Sequence, residues 1–368
     1  MSAPDQIEGA PHPRDTARIF GQDAAAASFL DAFASGRLHH GWLLTGPRGV
    51  GKATLAWAIA RFLLATPPLQ DDGLFGAPPV PETLDIDPEH PVSRRISAGA
   101  EPGLKVITRT ANPKTDRMRE EIVVDDIRAL AGFFQLSAAD GGRRVVIVDA
   151  ADELNTSAAN ALLKMLEEPP ERATLLLISH QPSRLLPTIR SRCRTLRLGT
   201  LSPEDMAQAL SQAGADDNAG TDALSALSGG SVGTALRLSL LGGPALYAEL
   251  LAILKNLPQL DRGRAVKLAE AAAARGAEAK RDLLFELLDL LLSRLALTGA
   301  TGHPPVTEVV PGEAEVLRRL APSPYKGRAW AETAQETGAR ARHGRAVNLD
   351  PAALILDTLI KVSQTASP

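Results

Sequence analysis

Apolar positions recur at helical spacing over residues 22–35, where Phe29 and Phe33 stand four apart and Gly36 closes the run. An unbroken apolar run, Trp42-Leu43-Leu44-Thr45, then enters a glycine loop, and beyond it Leu55, Ala58, Ile59, Phe62 and Leu63 return to helical spacing. The pattern predicts a strand, a loop and a helix. Further strands are predicted over 105–108, 144–149, 174–179 and 195–198, with helices over 125–134 and 157–166. The runs at 145–148 and 174–178 hardly alternate, as expected for strands covered on both faces. Strands that alternate with helices imply a parallel α/β sheet.

After Thr200 the strand signal stops. Short helices are predicted over 201–240, opened by Ser202-Pro203-Glu204 and broken at Gly229-Gly230. Gly242-Gly243-Pro244 reads as a linker, leucine-dense 283–297 as a helix, and 299–311 as a loop. The expected layout is an α/β domain over 1–200, a small helical domain over 201–241 and a larger one over 245–368. Residues 1–16 read as a loose leader without an apolar core, and 67–104, rich in proline and glycine, as an irregular insertion.

The loop Gly46-Pro47-Arg48-Gly49-Val50-Gly51-Lys52-Ala53 fits the phosphate-loop pattern except at its last position. Glycines let backbone N–H groups turn towards phosphate oxygens, the following helix adds its positive end, and Lys52 reaches the outer phosphates. The last position normally supplies a magnesium-binding hydroxyl. Here it is Ala53, and Thr54 is about 100° further round the helix. Val145-Val146-Ile147-Val148-Asp149 is an apolar strand that ends in a carboxylate suited to supporting magnesium. The candidate nucleotide-binding set is therefore Gly46, Pro47, Arg48, Gly49, Val50, Gly51, Lys52, Ala53, Thr54 and Asp149. Asp152 and Glu153 read as a solvated turn.

Ser157-Ala158-Ala159-Asn160-Ala161-Leu162-Leu163-Lys164-Met165-Leu166-Glu167-Glu168-Pro169-Pro170 resembles the "NALLKxLEEPP" signature of AAA+ clamp-loader subunits. Thr188-Ile189-Arg190-Ser191-Arg192-Cys193 resembles their "SRC" motif. The resemblance implies an AAA+ phosphate-loop domain over 1–200, a lid over 201–241 and an oligomerising collar over 245–368. It implies a hetero-pentamer with tau/gamma and delta subunits that uses ATP to place a sliding clamp on primed DNA; the expected cytoplasmic location comes instead from the leader, which has no apolar core. It also implies a place in a polymerase holoenzyme, although nothing here resembles a polymerase active site.

Each ATP site in that family takes its phosphate loop from one subunit and an SRC arginine from the next, which makes Arg192 an arginine finger acting in trans. Removing such a finger commonly costs about 10³–10⁵ in rate.

Three departures matter. Ala53 replaces the magnesium hydroxyl, Ala150 stands where AAA+ enzymes carry a glutamate, and Gly233, in Gly230-Ser231-Val232-Gly233-Thr234-Ala235, occupies the sensor-arginine position of "GSxRxA". Together they point to a degenerate ATP site in a subunit that lends Arg192 without hydrolysing ATP. The same three positions count against an active tau/gamma-like motor, and the helical C-terminal third counts against a metabolic kinase. Family members often carry a zinc-binding cysteine cluster; 67–104 has no cysteine, so no zinc is expected.

Composition changes this picture little. The 368 residues carry a net charge of −3, so any contact with nucleic acid needs a local patch or a neighbouring subunit. The one cysteine, Cys193, excludes an internal disulfide and reads as a small buried residue. No apolar run approaches the ~18 residues of a membrane span.

Overall fold

The computed structural model describes residues 7, 9–66, 81–135, 142–215 and 221–367. The leader and the 67–104 insertion lie partly outside these residues. The chain divides into two compact units, Met1–Ala215 with Gly230–Thr234, and Asp216–Gly229 with Ala235–Pro368.

The first unit begins with α1 (Asp23–Ala34), β1 (Gly41–Thr45), α2 (Lys52–Ala65), α3 (Pro91–Ser97), β2 (Leu104–Ile107) and α4 (Val124–Gln135). It continues with β3 (Arg144–Asp149), α5 (Thr156–Glu167), β4 (Ala173–Ser179), α6 (Pro187–Arg190), β5 (Arg194–Arg197) and α7 (Pro203–Gln212). All five strands are parallel, in the order β2-β3-β4-β1-β5. The apolar runs of β1, β3 and β4 are buried, as the missing alternation predicted.

One face of the sheet packs Leu43, Val146, Val148, Leu175 and Leu177 with Ile127 and Leu130 of α4 and Leu162 and Leu166 of α5. On the other face Trp42 packs against Phe29, ring centroids 4.9 Å apart, and Phe33 meets Phe62 at the same separation. Helix starts follow local capping: Asn155 Oδ1 accepts from Ala158 N at 2.9 Å, and Ser202 Oγ accepts from Asp205 N at 3.1 Å. Each such cap contributes about 1 kcal/mol.

The insertion is not wholly irregular. His90 Nδ1 accepts from Val92 N at 3.2 Å, Pro91 opens α3, and Val92 and Ile96 bury one face. The prolines and glycines around it hide this two-turn helix from the sequence pattern.

The second unit carries α8 (Thr221–Ser228), most of α9 (Val232–Leu240), α10 (Gly243–Lys255), α11 (Arg262–Ala273), α12 (Glu278–Thr301), α13 (Glu313–Leu320), α14 (Pro324–Ala346) and α15 (Pro351–Ala366). Two readings need correction. Gly242-Gly243-Pro244 is a helix start rather than a linker, because Gly242 takes a left-handed φ of 69° and Pro244 suits the first turn of α10. Gly299–Thr301 belong to α12, not to a loop. A Cβ on Gly299 would lie 2.6 Å from Gly327 Cα, so glycine there serves close packing of α12 on α14. Among the described residues, no single helix is long and apolar enough to cross a membrane; the bent pair α9 and α10 passes that test by length and composition alone.

Candidate functional site

The glycine loop leaves β1 at the carboxyl edge of the sheet, where ligands of parallel α/β folds bind. Gly46, Gly49 and Gly51 have φ values of 148°, 74° and 96°, which the tight turn needs. Gln22 fastens this end of the sheet: its side-chain amide donates to Val50 O at 3.0 Å and Gly199 O at 2.9 Å. No spacing signal in the sequence announces that role.

The loop bonds to the chain itself. Lys52 is 3% exposed; its Nζ donates to Gly46 O at 2.7 Å and also to Pro47 O. The strap Gly230–Thr234, part of the same unit, closes over the other side. Ser231 Oγ donates to Arg48 O at 2.9 Å and Gly233 N donates to Gly49 O at 2.9 Å. A Cβ on Gly233 would stand 2.9 Å from Gly49 Cα, and one on Gly49 would stand 2.3 Å from Ser231 Oγ. The two backbones touch, so a sensor-type arginine at 233 has no room unless the loop moves.

Charges collect below the loop. Burial pulls the Lys52 ammonium down to about 8, against the raising influence of Asp149 and Asp152, while Arg48 lowers it further. Asp152 is buried and its Oδ1 accepts from His180 N at 2.9 Å. Glu153 Oε2 lies 2.9 Å from Arg109 Nε, and its Oε1 lies 3.6 Å from Arg48 Nη2. Asp152 and Glu153 are therefore not a solvated turn. The short helical turn Ala151–Glu153 folds them back beneath the loop. His180, just past β4, is held down to about 4 by burial, then by Lys52 and Arg48; its Nδ1 is buried without a hydrogen-bond partner among the described residues. His180 went unread because a lone histidine after an apolar strand carries no spacing signal.

Arg192 sits at the opposite edge of the sheet. A Cβ on Gly41 would lie 3.2 Å from Arg192 O, so Arg192 is level with the start of β1. Five residues separate Gly41 from Gly46, or about 16 Å of strand. The Arg192 backbone thus stands at the end of β1 away from the chain's own phosphate loop. Its Nη2 pairs with Glu167 Oε1 at 2.9 Å and its Nη1 donates to Thr188 O at 3.1 Å. Glu167 ends α5, so the two quoted signatures meet here through one ion pair that their separation in sequence concealed. The Arg192 side chain remains 38% exposed. Its neighbour Cys193 has its thiol pushed up to about 12 by burial, consistent with a packing role. Among the described residues, no group of three or more His, Cys, Asp or Glu is placed to hold a metal.

Residues 21–202 match the family model described as "DNA polymerase III, delta subunit". The chain is 41% identical over 203 residues to the Pseudomonas aeruginosa DNA polymerase III subunit delta', covering 54% of this chain and 55% of that one. It is 29% identical over 303 residues to the Escherichia coli DNA polymerase III subunit tau, covering 76% of this chain and 43% of that one. It thus spans about half the length of the curated relatives it matches. Among solved structures, a gamma subunit-related protein from Thermotoga maritima aligns at 19% identity and a TM-score of 0.42, covering 92% of this chain and all of that one. Residues 21–202 of this chain are therefore similar to DNA polymerase III delta and delta' subunits.

Proposed function

We propose that the chain is a non-hydrolysing subunit of a DNA polymerase III clamp loader that lends Arg192 to the ATP site of a neighbouring subunit. The observation that carries this reading is the placement of Arg192, about 16 Å of strand from its own loop, partly exposed and held by two bonds. A guanidinium there acts on a phosphoryl group only if another subunit brings one. It forks to two oxygens and keeps its charge at any working pH.

The chain's own loop supports the other half of the reading. Ala53 offers no hydroxyl to magnesium, and Ala150 offers no carboxylate to an attacking water. Lys52 is engaged by loop carbonyls, and the strap holds Arg48 and Gly49. This donor set does not fit a magnesium nucleotide, so no chemical step is assigned to it.

In this reading 1–200 is the AAA+ domain, 201–241 the lid and 245–368 the collar of a cytoplasmic hetero-pentamer with tau/gamma and delta subunits. The assembly uses ATP to load a sliding clamp on primed DNA. DNA reaches this subunit through the assembly, since the net charge of −3 provides no general attraction.

The test is ATP turnover by the isolated chain and by the reconstituted loader carrying Arg192→Ala. The expected results are no turnover by the chain alone and a loss of about 10³-fold or more at the site that Arg192 serves. Brisk turnover by the isolated chain, or an unaffected Arg192→Ala assembly, rejects the proposal.

A further inference from the structure

We propose that Glu167 is a positioning residue for Arg192, a role that rests on the finger reading above. Three segments converge on this guanidinium. The end of α5 supplies Glu167, whose Oε1 lies 2.9 Å from Arg192 Nη2. Helix α6 supplies Thr188 O, 3.1 Å from Nη1. The residues just before β1 hold the end of α5: His40 Nε2 lies 2.9 Å from Leu166 O, and His40 stacks on His39 at 4.4 Å. A Cβ on Gly41 would lie 2.9 Å from Leu166 Cδ2, 3.2 Å from Arg192 O and 3.3 Å from Cys193 Sγ, so the start of β1, a side chain of α5 and the arginine turn pack closely around this glycine.

A carboxylate at a helix C-terminus opposes the helix dipole. Glu167 stands at that end of α5 and has Arg192 as its compensating cation. An arginine has five N–H donors. The carboxylate and the carbonyl each take one, on different nitrogens, so the guanidinium plane is fixed at two points while the remaining N–H groups stay available. Phosphate oxygens of a neighbour are met by those donors without breaking the pair. Glu167 thereby removes rotamer freedom that the finger would otherwise lose during the reaction.

The experiment is steady-state ATP turnover by the full reconstituted loader with Glu167→Ala, Glu167→Gln, Arg192→Ala and the Glu167→Ala/Arg192→Ala pair, each confirmed to assemble. Glu167→Ala is expected to lower kcat about two- to fivefold, the scale of a partly exposed ion pair, with KM for ATP unchanged. Glu167→Gln, which keeps an acceptor oxygen, is expected to fall between wild type and Glu167→Ala. In the Arg192→Ala background, Glu167→Ala is expected to cause no further fall. An unchanged kcat in Glu167→Ala, or an equal fall with and without Arg192, overturns the positioning role while leaving the finger intact. An Arg192→Ala assembly that turns over normally removes the finger reading itself, and this role with it.

Discussion

Each unit of the chain buries a cluster of charge, and the two are built differently. In the helical unit Glu313 is wholly buried and fully partnered: Arg294 Nε at 2.7 Å, Arg294 Nη2 at 3.1 Å, Tyr247 Oη at 2.5 Å and Val309 N at 2.7 Å. Arg294 also donates to Thr307 O at 2.8 Å, tying α12 to the loop that precedes α13. Beneath the glycine loop the bonding is incomplete. Lys52 is turned onto carbonyls of its own loop, His180 has a buried Nδ1 without a partner among the described residues, and burial pushes the ionisation of both downwards. The first cluster is what a structural ion pair looks like. The second holds a buried lysine on carbonyls of its own loop and leaves a buried imidazole nitrogen without a partner among the described residues.

This contrast is sharpened first by removing one partner of the complete cluster. Glu313→Ala leaves Arg294 buried without its counter-ion, and urea unfolding is expected to show a loss of about 3–5 kcal/mol. Replacing both residues with leucine should cost much less, because no charge is then stranded.

The next largest effect concerns His180. It stays neutral in the folded chain down to about 4, whereas an unperturbed histidine titrates near 6.5. The unfolded state binds the extra proton between those values, so stability falls as pH drops from 6.5 towards 4, by up to roughly 3 kcal/mol. Urea midpoints measured across this range should decline in the wild type more steeply than in His180→Asn; parallel slopes would remove His180 from the cluster.

The smallest effect is at Lys52. Its two bonds to loop carbonyls are offset by the cost of burying an ammonium, so Lys52→Met is expected to change stability by less than about 1.5 kcal/mol. A loss on the scale of Glu313→Ala would make the two clusters alike and defeat the comparison.

Much of the sheet was legible from local pattern. Unalternating runs such as Val145–Val148 declared buried parallel strands, and Gly46–Lys52 declared the turn between β1 and α2. What could not be read depends on contacts between distant residues. Glu167 meets Arg192 because α5 and the turn before β5 converge on Gly41. Ser231 and Gly233 reach the glycine loop from nearly two hundred residues along the chain. Asp152 and Glu153 look like surface residues by type, and only the fold places Arg109, Arg48 and the His180 backbone around them. Gly299 failed as a loop signal for the same reason, since its neighbour Gly327 belongs to another helix.

The central claim is that the two arginine- and lysine-bearing edges of the sheet have parted roles, the far edge serving a neighbour and the near edge serving structure. The most direct measurement is single-turnover ATP hydrolysis in otherwise identical reconstituted loaders carrying Lys52→Met or Arg192→Ala at saturating ATP. The account predicts a rate indistinguishable from wild type for Lys52→Met and a loss of about 10³-fold or more at one site for Arg192→Ala. A large loss from Lys52→Met, with Arg192→Ala near wild type, would contradict it.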